Sequence, residues 1–326
     1  MTSNNNRVYA LPLDGVTAKL MNGDEYKVTI GDKTYYKPDA ILALTLDITS
    51  NDDFAYITGF KGLTKNSDGS FIYTIGTALE FEGYAKIGSL GFDTTDNSYT
   101  ISTNEQLEEF RDYVNSGHDC KGLKFKLTED LNLDSIANWT PIGNNVNDFK
   151  GTFDGDEHTI SNLKITGNEI YQGLFGFNGK GGTIKNVSLV NADISGNWAV
   201  GGIAGNNWGT IDNCAVEGTI SGNRDVGGIA GINSYGTVKD SSAFMTVNGS
   251  RFVGALVGNN SNGTFSGNEY ASNAGDNTGA TKWLTLPTGI TVTNAAAHCS
   301  ITLTARRFKS SRSTARLTPP RKMRQV

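Results

Sequence analysis

Proline, cysteine and histidine are all scarce in this chain: 326 residues hold 6 Pro, 3 Cys and 3 His. Cys120, Cys214 and Cys299 are odd in number and far apart, which fits neither a disulfide framework nor a zinc-type spacing. His118, His158 and His298 stand alone, and no His-Glu-x-x-His helix or phosphate loop ending in Lys-Ser/Thr occurs. No cofactor and no metal is therefore expected. Long apolar runs are missing too. The longest, Ile41–Leu44, falls far short of the ~20 residues that cross a bilayer as a helix. Met1–Asn6 lacks a cationic stretch leading into an apolar one, so no secretory leader is read there. Charge is thin, at 19% of residues, but hydrophobics at 37% and aromatics at 10% are enough to build a core, which excludes wholesale disorder. What charge there is divides unevenly. Residues 1–304 carry a net −13, whereas 305–326 carry +8 with no acid at all. An acidic body argues against nucleic-acid binding by that body. The tail, rich in Ser, Thr and Arg and containing Pro319-Pro320, reads as a solvated, disordered or appended segment.

Glycine is abundant instead, with 40 residues and no collagen-like period or proline to go with it. Its placement is periodic. Gly-Thr pairs recur every 27 residues at Gly182, Gly209, Gly236 and Gly263. Before the last three stand Val200-Gly-Gly-Ile-Ala-Gly205, Val226-Gly-Gly-Ile-Ala-Gly231 and Val253-Gly-Ala-Leu-Val-Gly258, with Gly173-Leu-Phe-Gly176 as an earlier relative. Apolar columns keep the same register, as in Ile184, Ile211, Val238 and Phe265. The segments alternate with period two and are punctuated by Gly and Asn, which accept left-handed turns. Three short strands per ~27 residues describe one coil of a parallel β-helix, right-handed by the general preference for that crossover. The column Asn186, Asn213, Asp240 suits a stacked ladder at a turn, and Cys214, in an apolar column, reads as a small buried hydrophobe.

The phrase Val-Gly-Gly-Ile-Ala-Gly followed by Gly-Thr-Ile-Asp-Asn-Cys resembles the GLUG motif of bacterial surface and secreted proteins, adhesins among them. Tyr99–Asn115, Leu127–Leu133, Trp139–Gly143 and Phe149–Gly155 resemble the lead-in that precedes such repeats. Together they cover about residues 99–278. The resemblance implies architecture and a non-catalytic, extracellular or cell-surface adhesion role; it carries no catalytic signature.

The fold expected is thus all-β: a right-handed parallel β-helix over 96–280, preceded by a β-sandwich-like domain over 1–95 and followed by a cap strand and basic tail over 281–326. Eight short strands at roughly ten-residue spacing support the sandwich-like domain. A helix is expected at 103–116, capped by Thr103 or Asn104, with Leu107, Phe110 and Val114 on its apolar face. Laid at the start of the β-helix, it would block the open strand edge. Strands are also expected at Trp283–Leu286 and Ile290–Thr293.

Chemistry is sparse. Asp154, Asp156, Glu157 and His158, with Asp130 and Asp134 upstream, could serve a polysaccharide-degrading enzyme or bind calcium, but the Asp154-Gly155 turn is the simpler reading. Thr183, Thr210, Thr237 and Thr264 form one hydroxyl rank without the second rank of an ice-binding face. Aromatics at loop-like positions stand out: Trp139, Tyr171, Trp198, Trp208, Tyr235 and Phe252. Trp208 and Tyr235 both precede a Gly-Thr pair and should stack at one corner. With Trp198 they are the candidate ligand-binding residues, for a glycan or a host or matrix surface component. A polysaccharide-degrading enzyme and a phage fibre component are the alternative readings.

Overall fold

A computed structural model of the protein describes residues 8–11, 15–48, 54, 56–76, 78–272 and 281–284. Cys299, the Ile290–Thr293 strand and the basic tail lie outside the described residues.

All eight expected N-terminal strands form, as three small antiparallel sheets rather than two broad ones. Tyr9–Ala10 and Lys27–Ile30 flank Lys33–Tyr36; Val16–Leu20 and Phe71–Thr74 flank Ile41–Leu46; Tyr56–Phe60 pairs with Phe81–Tyr84. Alternation sets their core. In Ile41–Leu46, Leu42 and Leu44 are buried with Tyr36, Phe60, Phe71 and Tyr73.

From Ser98 to Ser272 the chain is a parallel solenoid. Its first face is built from Ser98–Ile101, Lys124–Leu127, Thr152–Asp154, Thr183–Lys185, Thr210–Asp212, Thr237–Lys239 and Thr264–Ser266, each paired in parallel with the next. The central residue of each strand points inward, stacking Phe125, Phe153, Ile184, Ile211 and Val238 in one fully buried column. A second face runs through Ser188–Ser195, Ala215–Ser221 and Ser242–Asn248, and ends with Glu269–Ser272 paired to Thr281–Leu284. The strand expected at Trp283–Leu286 therefore lies two residues earlier.

Each regular coil carries four strands, not three. The Val-Gly-Gly-Ile-Ala-Gly phrase bends in its middle, so that Trp198–Gly201, Arg224–Gly227 and Arg251–Gly254 form a third face. Ala204–Asn207, Ala230–Ser234 and Val257–Ser261 form a fourth. The glycines explain the bend. A Cβ on Gly231 would lie within 3.0 Å of the Ala199 and Val200 backbone, and one on Gly201 within 3.0 Å of Ala230 and Gly231. The third and fourth faces approach each other backbone to backbone, and only hydrogen fits between them. In the last coil the second glycine becomes Ala255. A Cβ on Gly228 would strike the Ala255 carbonyl of the coil above, whereas among the described residues no third-face strand stacks beyond Gly254.

The helix Asn104–Asn115 lies inside the first coil, between Ser98–Ile101 and Lys124–Leu127. Thr103 caps it, its hydroxyl accepting from the Gln106 N–H at 3.2 Å. Leu107, Phe110 and Val114 are fully buried, and the Phe110 ring sits 4.3 Å from Phe125, 5.6 Å from Phe153 and 5.7 Å from Phe149. The helix plugs the end of the apolar interior. Blocking the first-face edge falls to a different element: Gly91–Asp93 pairs antiparallel with Ser98–Ile101.

Corners are held by side-chain ladders. Of the expected column, Asn213 donates to Asn186 at 2.8 Å, but no side-chain rung reaches Asp240 among the described residues; the ladder extends the other way, Asn186 donating to Asp154 at 2.8 Å. A second, unexpected ladder is buried. Asn178 donates to Asn207 at 2.8 Å, Asn207 to Asn233 at 2.8 Å, and Asn233 to Asn260 at 2.9 Å. Asn178, Asn207 and Asn233 are inaccessible to solvent, so each rung satisfies a group that water cannot reach. Asn207→Ala breaks two rungs and should cost about 2–4 kcal/mol in urea denaturation, whereas Asn223→Ala, at an exposed corner, should cost under about 1 kcal/mol.

Candidate ligand-binding surface

The third and fourth faces carry outward aromatics whose positions follow from strand register. Tyr171, Ala199, Asp225 and Phe252 occupy equivalent places on the third face, all with left-handed backbone at φ 53–58°. One residue earlier stand Ile170, Trp198, Arg224 and Arg251, in direct register. Trp208 and Tyr235 lie at the corner between the fourth and first faces, their N–H groups donating to Asn178 and Ser261 carbonyls.

These rings join into a ribbon. Trp208 and Tyr235 are 5.9 Å apart between centroids, as their 27-residue spacing predicts. Phe177 follows at 6.2 Å from Trp208, Tyr171 at 5.7 Å from Phe177, and Trp198 at 5.5 Å from Tyr171. Tyr235 is 68% exposed, Phe252 44% and Trp208 42%, while Trp198 is half-buried. Arginines extend the ribbon. The Arg224 guanidinium lies 6.0 Å from the Trp198 ring and 5.3 Å from Phe252, and Arg251 lies 4.6 Å from Phe252. Asp225, fully buried, accepts the Trp198 indole N–H and pairs with the Arg224 Nε at 3.3 Å.

The GLUG motif matches residues 196–221 and again residues 222–248. The chain carries two GLUG repeats. The two matched GLUG coils carry Trp198, Trp208, Arg224 and Tyr235, so the middle of the ribbon lies on the motif itself. Among relatives, a protein of Evansella cellulosilytica described as a Gly-rich membrane protein is 36% identical over 138 residues, 39% of this chain and 15% of that protein. Halomucin of Haloquadratum walsbyi is 34% identical over 142 residues, 40% of this chain and 2% of that protein. The matched stretch is thus a small part of either relative's length. Among solved structures, one from Bacteroides ovatus described as an immunoglobulin A1 protease aligns with a TM-score of 0.43 at 21% identity, over 57% of this chain and 68% of that one.

Other expected candidates are placed differently. Trp139, read as a loop aromatic, is buried. Its indole N–H donates to the Leu174 carbonyl at 3.2 Å, and Arg111 lies 5.0 Å above its ring. Cys214 is buried in the core of the GLUG coils, its thiol pushed up to about 12 by burial; Cys120 is likewise pushed up to about 12. In the threonine rank on the first face, Thr183, Thr210 and Thr237 are half-buried and Thr264 is exposed, with the Thr237 and Thr264 hydroxyls 2.9 Å apart.

The acid cluster does not converge. Asp156 and Glu157 form a turn with φ 46° and 69°, and His158 Nδ1 stands 3.5 Å from Asp130, which also accepts the Thr159 N–H. Asp154 pairs with Lys185 at 2.7 Å. Burial raises its carboxyl, but hydrogen bonds from Lys185, Asn186 and the Asp156 N–H outweigh this and hold it below the usual carboxylate value. The pair therefore adds stability above that range and loses it as pH falls through the lowered value. Asp154→Asn should flatten the acid limb of a stability-versus-pH curve as pH falls below the ordinary carboxylate range, measured by urea denaturation.

Asp154 belongs to a column of alternating sign along the first face: Lys126, Asp154, Lys185, Asp212, Lys239, each in register with the next. Lys239 bonds Asp212 at 2.8 Å.

Among the described residues, no three His, Cys, Asp or Glu are grouped to hold a metal ion, and no helix is long and apolar enough to cross a membrane.

Sequence reasoning missed Phe177, the two arginines and the buried Asn178–Asn260 ladder. The signal for three of them was present, since Arg224 and Arg251, like Asn233 and Asn260, are 27 residues apart.

Proposed function

We propose that the solenoid is a non-catalytic scaffold of a surface or extracellular protein, and that its aromatic ribbon holds a glycan of a cell or matrix surface. The observation that carries this reading is the continuity of five outward rings, Tyr235, Trp208, Phe177, Tyr171 and Trp198, at steps of 5.5–6.2 Å. Sugar rings present flat C–H faces that lie on aromatic π-faces, and a row of rings suits a chain of sugars better than a single one. The absence of converging acids among the described residues supports a binding role, and the Evansella relative's description as a membrane protein supports a surface setting.

The test is a glycan and host-matrix array probed with the wild type and the Trp208→Ala/Tyr235→Ala double variant. Binding should fall about tenfold or more in the variant, the loss of one to two ring contacts. Unchanged binding would remove the ribbon from the account. Turnover of any glycan by the purified chain, abolished by Asp154→Ala, would replace the scaffold reading with an enzymatic one.

A further inference from the structure

The ribbon ends at a charge arrangement unlike the rest of the solenoid. On the first face, stacked charges alternate in sign and neutralise one another across the coils. On the third face, Arg224 and Arg251 stand directly in register on adjacent parallel strands. Like charges so placed repel. Asp225 is the ion-pair partner of Arg224, and it is buried and shared with the Trp198 indole, so it answers one of the two cations from below. Arg251 makes no ion pair with a described residue. The surroundings do not explain this cationic corner, because residues 1–304 carry a net −13.

Geometry makes the corner a receptor rather than a defect. Both guanidinium groups lie against ring faces, Arg224 between Trp198 and Phe252 and Arg251 on Phe252. A guanidinium stacked by its plane keeps its N–H edge available, and that edge matches a carboxylate or sulfate with two parallel hydrogen bonds. Asp225 acts as a positioning residue. Its carboxylate ties the Trp198 ring and the Arg224 fork to one point, which fixes the cation where the ring row ends.

We propose that the ribbon takes an acidic polysaccharide, with sugar faces on Tyr235, Trp208, Tyr171 and Trp198 and an anionic substituent, carboxylate or sulfate, on Arg224 and Arg251. This rests on the glycan reading above and names the class of glycan.

The experiment measures affinity of the full chain by calorimetry for polygalacturonate, its fully methyl-esterified form, chondroitin sulfate and inorganic polyphosphate. The acidic polymers should bind at least tenfold more tightly than the methyl ester. Arg224→Gln/Arg251→Gln should abolish the preference for acid over ester, weakening the acidic polymers far more than the ester, and Trp208→Ala/Tyr235→Ala should weaken both. Without ligand, Arg251→Gln alone should melt at or above the wild-type temperature, since it relieves the like-charge contact and leaves the buried Asp225 paired with Arg224. Equal affinity for acid and ester, or a preference that survives the arginine variant, overturns the acidic assignment and leaves the glycan reading standing. Polyphosphate bound as tightly as polygalacturonate overturns it in favour of a bare cation patch. Binding of none of the polysaccharides overturns both readings.

Discussion

Gly231→Ala should destabilise the solenoid by about 3 kcal/mol or more, although it adds a single methyl to a coil otherwise unchanged. The added Cβ would fall within 3.0 Å of Ala199 and Val200 backbone atoms, which belong to a paired strand of the preceding coil and cannot rotate away. The third and fourth faces would have to part, and the column Gly205, Gly231, Gly258 repeats that contact in each coil. Gly181→Ala is the control. Gly181 has φ +93° and open space, with nothing within 4 Å of where a methyl would sit, so alanine there meets only backbone strain, about 1–2 kcal/mol. Urea denaturation of the two variants separates these causes. Equal losses would mean that backbone conformation, not face-to-face contact, makes the motif glycine-rich.

Phe110→Ala should cost about 4 kcal/mol, in the range for a large aromatic removed from a closed core. Its ring is packed on Phe125, Phe149 and Phe153, with Phe175 at 6.5 Å, so the cavity would open at the base of the interior column. In a solenoid each coil is stabilised mainly by its neighbours, and the loss should be felt as a gradient. Amide hydrogen exchange should accelerate most in 98–127 and least in 237–261. Uniform acceleration would show instead that the coils open as one cooperative unit. Phe110→Leu should keep most of the stability, because it preserves the apolar plug.

Much of this was legible from residue spacing. Ile184, Ile211, Val238 and Phe265 share a strand position because they are 27 residues apart, and parallel stacking converts equal spacing into vertical alignment. The Trp208–Tyr235 corner was readable for the same reason. Phe177 was not, because Lys180 and Gly181 lengthen the turn that follows it and displace it from the 27-residue register. The four-strand coil was hidden by its own glycines. A Gly-Gly pair reads as a loop, and here it permits backbone contact between two strands. The plug was half legible: Leu107, Phe110 and Val114 gave the apolar face, but the antiparallel Gly91–Asp93 that shields the edge has too short a pattern to register. Trp139, grouped with the loop aromatics, is instead satisfied inside the core by its indole N–H bond to the Leu174 carbonyl.

The alternating charges of the first face have a consequence for a chain made of near-copies. Successive coils present almost identical apolar columns, so hydrophobic stacking alone would tolerate a misfold in which one whole repeat loops out and its neighbours close the gap. In that arrangement Asp154 would meet Asp212, or Lys185 would meet Lys239, and each contact that attracts in the native order would repel. The side-chain sequence along that face thus has twice the period of the backbone. It lets the folding chain tell odd coils from even ones, and so keeps count of its own repeats.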